Sequence, residues 1–211
     1  FSAGIDITMF MSDMSLNENL SSTPQDRREL MDLVERMQNA FTTIAKSKVP
    51  TIALAHGFCI GGATSLVSAC DIRLATKDAK FSIGETKLGL VADVGVIQRM
   101  PKIVSSGDMN ELALTGRIFD GEHAERIRFV SKAYDNSDDL FNAGEKLANE
   151  IASNSTRIVQ ATKQALEKSS NLTIDQGLEY AKLWSTSFLI SEDLREGVMA
   201  FLEKREPKFN E

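Results

Sequence analysis

The sequence predicts an α/β core followed by an all-helical region. Three observations carry this. Between Thr51 and Val104, short apolar runs alternate with segments of helical spacing. From Ser137 almost to the end the spacing is helical throughout. The composition, 42% hydrophobic and 26% charged over 211 residues, is that of an ordinary globular chain long enough to bury a core. These values exclude a disordered tail, a collagen-like fibre and a disulfide-stapled miniprotein.

The opening FSAGID (Phe1–Asp6) already reads as structured chain, so the sequence is read as a fragment or a processed form and says nothing of a targeting presequence. Ser12 to Ser22 is polar and reads as a loop. Thr23-Pro24 is an N-cap followed by Pro at the first helical position. Leu30, Leu33, Val34, Met37, Phe41 and Ile44 then recur at helical spacing, and Pro50 stops the helix. TIALA (Thr51–Ala55) is a short buried strand ended by His56-Gly57. Gly61-Gly62 opens a small-residue helix to about Cys70. Asp71 to Ala75 is a second strand, Lys80 to Ile83 a third, and Gly84 to Asp93 a loop. A helix from about Val94 to Val104 contains Pro101, which kinks or splits it. Ser137 caps a helix that turns Leu140, Leu147, Ala148 and Ile151 inward. Ser155 starts the next. Thr173 with Gln176 forms a capping box for a third, and Ser191 caps the last. This helical tail needs an apolar partner, either the core or another subunit.

Charge and composition narrow the function. With 24 Lys and Arg against 30 Asp and Glu, the net charge is −6, which disfavours a general nucleic-acid binder. Two cysteines, Cys59 and Cys70, and two histidines, His56 and His123, form no metal-binding spacing, and a reducing compartment is the default. No apolar stretch is long enough to span a membrane, and the C-terminal KFNE is not a peroxisomal SKL signal.

Three features suit chemistry: FSAGID, the strand-to-helix turn CIGGA (Cys59–Ala63), and the carboxylates Glu85 and Asp93 in the apolar loop GETKLGLVADVG. A Gly-Gly turn into a helix leaves backbone N–H groups free to meet an anion or a developing oxyanion. On spacing alone, close packing against the sheet is the favoured reading of that turn. Glu85 and Asp93 lie among Leu88, Leu90, Val91, Ala92 and Val94, where desolvation raises a carboxyl pKa. Two such groups suit a proton relay. Taken singly, Asp93 reads as an N-cap and Glu85 as an exposed strand end or a salt bridge to Lys87. His56 reads as satisfying a backbone group, Cys59 and Cys70 as core fillers, Asp71 and Arg73 as a structural pair, and Trp184 as core or interface. Lys204 and Arg205 complement the last helix dipole and are candidates for phosphate contact.

Together, FSAGID, AHGFCIGGA, ACDIRLAT and GETKLGLVADVGVIQRMPK resemble the crotonase (enoyl-CoA hydratase/isomerase) superfamily over essentially the whole chain. An acid at Asp93, where most members have Gly, with Glu85 before it, resembles the Δ3,5-Δ2,4-dienoyl-CoA isomerase branch. The resemblance implies a spiral of ββα-like turns, with roughly one sheet unit missing before Phe1. It implies an α/β core over 1–135 and a helical oligomerisation region over 136–211, in a trimer or dimer of trimers (a hexamer).

It further implies an acyl-CoA substrate whose thioester oxygen sits between the N–H groups of Ala3 and Gly62. One such donor is worth about 3 kcal/mol in the transition state. Ser2, Ala3, Gly4, Ile5, Asp6 and Gly62 would line the substrate and CoA site. Glu85 and Asp93 would relay protons between C2 and C6, converting 3,5-dienoyl-CoA to 2,4-dienoyl-CoA in fatty-acid β-oxidation. No metal or redox cofactor is implied, since CoA arrives with the substrate. Mitochondrion and peroxisome both fit, and a bacterial cytoplasm is compatible. Two positions depart from the family pattern: Ala63 replaces a Gly, and Ser65 replaces an acid that hydratases use to activate water. Hydration is therefore expected to be poor. The rival readings are a Δ3-Δ2-enoyl-CoA isomerase using Glu85 alone, a hydratase-like enzyme, and a non-catalytic acyl-CoA binder.

Overall fold

A computed structural model describes residues 1–6, Thr8 and 23–209; the loop expected over Ser12–Ser22 lies outside the described residues. Contacts divide the chain into two units. The first is Phe1–Ser47 with Thr51–Gly144, and the second is Lys48–Pro50 with Glu145–Glu211.

The first unit begins with the expected long helix, α1 (Pro24–Ala45). Thr23 accepts from the Asp26 N–H, and the Asp26 carboxylate returns to the Thr23 N–H at 2.7 Å, a complete capping box. Strand β1 (Ile52–Ala55) follows, then a three-residue strand, β2 (Phe58–Ile60), for which the sequence has no periodic signal. Helix α2 (Gly62–Ala69), β3 (Ile72–Thr76) and β4 (Lys80–Ser82) stand where expected.

A 3₁₀ turn (Gly84–Leu88) occupies part of the expected loop. The helix expected over 94–104 is divided at Pro101: α3 (Val96–Arg99) gives way to a 3₁₀ turn over Met100–Lys102. The stretch after it, without a reading from sequence, forms α4 (Ser106–Thr115), β5 (Phe119–Asp120), α5 (Gly121–Arg126) and β6 (Lys132–Tyr134).

The strands build two sheets, β1-β3-β6 and β2-β4-β5. The first four strands alternate between them, β1 then β2 and β3 then β4, while β5 stays in the sheet of β4. β1, β2 and α2 form one of the expected ββα-like turns. β1 pairs in parallel with β3 (Ile52 opposite Ile72) and β2 with β4 (Phe58 opposite Lys80). Only β5 runs antiparallel in its sheet. Cys59, Phe81 and Phe119 point into the core, where the Phe81 ring lies 5.5 Å from Phe119 and 5.6 Å from Phe129.

Helix α6 (Ser137–Ala152) begins in the first unit and ends in the second. Its cap is Asn136, not Ser137, because the Asn136 Oδ1 accepts the Asp139 N–H at 2.9 Å. In the second unit, α7 (Thr156–Ser169), α8 (Ile174–Phe188) and α9 (Glu192–Glu203) carry the expected Ser155, Thr173 and Ser191 caps. The Ser155 hydroxyl donates to Asp193 at 2.7 Å, and Lys163 Nζ donates to the Val49 carbonyl at 3.1 Å. No residue of α8 is buried, and Ile174, Leu178, Leu183 and Ile190 are exposed. Among the described residues no helix is long and apolar enough to cross a membrane.

Candidate functional site

Phe1–Gly4 runs alongside β2. The Ser2 N–H donates to Phe58 O at 2.7 Å, and the Ile60 N–H donates to Ser2 O at 3.1 Å, a parallel bridge. Glycine is required at position 4. Its φ is 93°, and a Cβ there would lie 2.7 Å from the Ile60 carbonyl oxygen. The bridge places Ala3 beside the strand that leads into the Gly61-Gly62 turn. Ile5 and Asp6 are exposed, and the Asp6 carboxylate accepts from the Thr8 N–H at 2.9 Å.

Gly61 forms the turn with φ 58° and ψ −118°. Its N–H donates to Ser82 O at 2.9 Å, and its carbonyl accepts the Ser65 N–H at 3.1 Å. Gly62 opens α2, so its N–H falls in the first turn, where a helix offers no internal acceptor. The buried Thr64 hydroxyl lies 2.7 Å from Cys59 O and 3.0 Å from Ser82 O, fastening α2 to the ends of β2 and β4.

The same parallel pairing of β2 with β4 brings Glu85 to this turn. A Cβ on Gly61 would lie 3.5 Å from Glu85 Oε1. Glu85 Oε2 is buried and has no hydrogen-bond partner among the described residues. Burial pushes the Glu85 carboxyl above its ordinary range, a backbone hydrogen bond partly offsets this, and the Asp93 charge pushes it further up. Asp93 thus lies within electrostatic reach of Glu85. Its side chain is exposed rather than desolvated as the sequence suggested. It does not cap the following helix either: Gly95 holds that position, with φ 118° and no side-chain bond.

Two residues without a functional reading from sequence hold this loop. Gln38 Nε2 on α1 donates to the Asp93 carbonyl at 2.7 Å. Arg99 reaches Thr42 Oγ1 at 3.0 Å and Val94 O at 3.4 Å. The available signal for Gln38 was a polar residue at the edge of an apolar helical stripe, four residues after Val34.

Ala63 and Ser65 are both buried on α2, and the Ser65 Oγ has no partner among the described residues. The remaining candidates stand in other roles. Cys59 is fully buried, and burial pushes its thiol up to about 12. The His56 ring packs edge-on to Phe141 at 5.6 Å. Arg73 donates to the Phe129 and Cys70 carbonyls, both at 2.7 Å, while the Asp71 carboxylate accepts from Thr51. Trp184 stacks on Phe188 at 5.8 Å. Arg205 is held by Glu196 at 2.6 and 3.0 Å, so its charge is matched locally. Lys204 is the left-handed C-cap of α9. Among the described residues, no three His, Cys, Asp or Glu side chains group to hold a metal ion.

This arrangement offers backbone donors beside a partly desolvated carboxyl, with a second carboxylate in electrostatic reach. The family model described as enoyl-CoA hydratase/isomerase matches residues 1–211. The mitochondrial Δ(3,5)-Δ(2,4)-dienoyl-CoA isomerase of Dictyostelium discoideum is 48% identical over 188 residues, 89% of this chain and 64% of the relative. The peroxisomal Δ(3,5)-Δ(2,4)-dienoyl-CoA isomerase of Arabidopsis thaliana is 39% identical over 209 residues, 99% of this chain and 75% of the relative. The chain therefore spans less than two thirds of the length of the first relative. Among solved structures, the enoyl-CoA hydratase of Bacillus anthracis superposes with a TM-score of 0.81 at 26% identity, covering 91% of this chain and 73% of its own.

Proposed function

The chain belongs to the enoyl-CoA hydratase/isomerase family, and on that premise we propose that it converts 3,5-dienoyl-CoA to 2,4-dienoyl-CoA. The observation that carries this reading is the Glu85–Asp93 pair: a half-buried carboxyl, one oxygen of which has no partner among the described residues, raised by burial and further by the charge of the second. Burial and that charge both favour the protonated form of Glu85 relative to an ordinary carboxyl. Two carboxyls in such unequal surroundings suit a relay, which needs one group to accept and one to give. The similarity to relatives named dienoyl-CoA isomerases supports the same reaction.

In this mechanism the thioester oxygen lies between the Ala3 and Gly62 N–H groups. One carboxylate removes a C2 proton, and the electron pair spreads through the two double bonds to the thioester as an enolate. The N–H pair stabilises the oxyanion, each donor by about 3 kcal/mol. The other carboxyl returns a proton at C6, the electron pair moves back, and the double bonds shift to positions 2 and 4. No atoms are gained or lost. Ser2–Asp6 would line the acyl-CoA, which brings CoA as part of the substrate, so no cofactor or metal is required. The exposed apolar side chains of α8 support self-association in a trimer or dimer of trimers through 136–211, with 1–135 as the catalytic core. The mitochondrial and peroxisomal relatives make either compartment the proposed location.

The exposure of Asp93 favours one rival, a Δ3-Δ2-enoyl-CoA isomerase working through Glu85 alone. The test is a spectrophotometric comparison of three substrates: a 3,5-dienoyl-CoA, a 3-enoyl-CoA and a 2-enoyl-CoA. The proposal expects the absorbance of the conjugated dienoyl thioester to grow with the first, and little hydration of the third. Turnover of the 3-enoyl-CoA alone would establish the rival. Binding of all three without turnover would establish an acyl-CoA binder.

A further inference from the structure

A cavity lies at the ends of β2 and β4 away from Glu85. β2 and β4 run in parallel, with the Gly61 turn and Glu85 beyond their C-terminal ends. At their N-terminal ends the register sets Phe58, Lys80 and Asp120 side by side across β2, β4 and β5. Their neighbours Cys59, Phe81 and Phe119 are buried, so alternation along each strand turns this row to the opposite face. There it lines a cavity of about 420 Å³ with Ile118, Arg117 and His123, within the range of small-molecule sites.

The polar lining is rich in donors. Arg117 pairs with Glu111 through one terminal nitrogen at 2.8 Å, while its Nε is buried and has no partner among the described residues. The Arg126 guanidinium lies 2.9 Å from His123 Nδ1. A guanidinium only donates, so Nδ1 accepts and the His123 proton sits on Nε2 as a further donor. Lys80 adds a cationic ammonium. Asp120 contributes the one carboxylate, and its Oδ1 already accepts the His123 N–H at 2.8 Å. The apolar lining is partly open: Phe58 is 59% and Ile118 56% exposed.

We propose that this cavity binds a small planar aromatic carboxylate, its ring against Phe58 and Ile118 and its charge toward Lys80 and the His123 Nε2–H. The pairing is of a compact anion with donors that lack a full set of acceptors, and of a ring with an aromatic wall. The site is independent of the acyl-CoA reading.

The test titrates 2-naphthoate into the 211-residue protein by isothermal calorimetry, with the neutral isostere 2-naphthylmethanol as the comparison. Saturable one-to-one binding is expected. Lys80→Met, and the neutral probe on the unaltered protein, are each expected to weaken it by about tenfold or more, the scale of a charge-assisted hydrogen bond. Ile118→Trp, which fills the mouth from an exposed position, is expected to abolish binding. Circular dichroism melts establish that both variants fold, and either variant alone suffices for the comparison. Absence of saturable binding, or an affinity in either folded variant equal to that of the unaltered protein, would overturn the proposal.

Discussion

Replacing Glu85 by Gln is expected to stabilise the fold at neutral pH while removing the group proposed for chemistry. Glu85 Oε2 is buried with no hydrogen-bond partner among the described residues, and leaving a buried charge there unpaired costs more than leaving a neutral amide unpaired, by about 1–3 kcal/mol. The residue is only half-buried, so solvent screening places the gain at the lower end, about 1 kcal/mol. In a chain of this size that is roughly 2–4 °C in Tm. The pH dependence has a definite sign. Burial and the Asp93 charge raise the folded-state pKa above the unfolded value. Below the ordinary Glu value of about 4.3, both states hold the proton and the variant gains nothing. As the pH rises, the unfolded carboxyl ionises before the folded one, and the unaltered protein loses stability until the folded group ionises too. The advantage of the variant therefore opens as the pH rises past the ordinary Glu value and stays constant once the folded group has ionised. Thermal melts followed by circular dichroism, near pH 3 and near pH 7.5, below and above the ordinary Glu value, read it directly. A variant that melts below the unaltered protein at neutral pH, or by the same margin at both, would refute the reasoning.

Other substitutions probe the frame around the site. Gly121→Ala would set a Cβ 1.9 Å from the Thr76 carbonyl oxygen, a backbone clash expected to cost about 3 kcal/mol in urea unfolding. Cys59, fully buried with its thiol pushed up to about 12, is expected to resist iodoacetamide in the native protein and to react after denaturation, read by mass spectrometry of peptides. Gln38→Leu removes the 2.7 Å hold on the Asp93 carbonyl. It is expected to lower kcat roughly tenfold by loosening a reacting group, with a stability loss of about 1 kcal/mol.

Helix α1 and the helices of the second unit were legible because their signals are local: a capping residue, its partner three positions on, and an apolar stripe. Strands β2, β5 and β6 were not, because they are runs of two or three residues that exist through their neighbours; β4, equally short, was marked by the apolar Phe81 and Ile83 on alternate positions. β2 depends on Ser2 on one side and Lys80 on the other. The position of the α6 cap slipped by one residue because Asn136 and Ser137 both suit it, and only the hydrogen bond to Asp139 decides. At the site, Gly61-Gly62 and Glu85 were readable as separate motifs. Their adjacency comes from the parallel register of β2 and β4, which no local pattern encodes. Gln38 and Asp93, 55 residues apart, meet only in the fold. The exposure of Asp93 was hidden for a related reason: apolar neighbours in sequence suggested burial, but Leu88, Leu90 and Val91 are themselves exposed.

In the proposed reaction two carboxylates, Glu85 and Asp93, share the proton transfer. The most direct test is the rate of 2,4-dienoyl-CoA formation from a 3,5-dienoyl-CoA by Glu85→Gln and Asp93→Asn beside the unaltered protein, with acyl-CoA binding measured in parallel. Each substitution is expected to lower kcat by about 10²–10⁴-fold, the usual worth of a positioned acid or base, with binding retained. An Asp93→Asn variant that keeps most of its kcat would contradict the account.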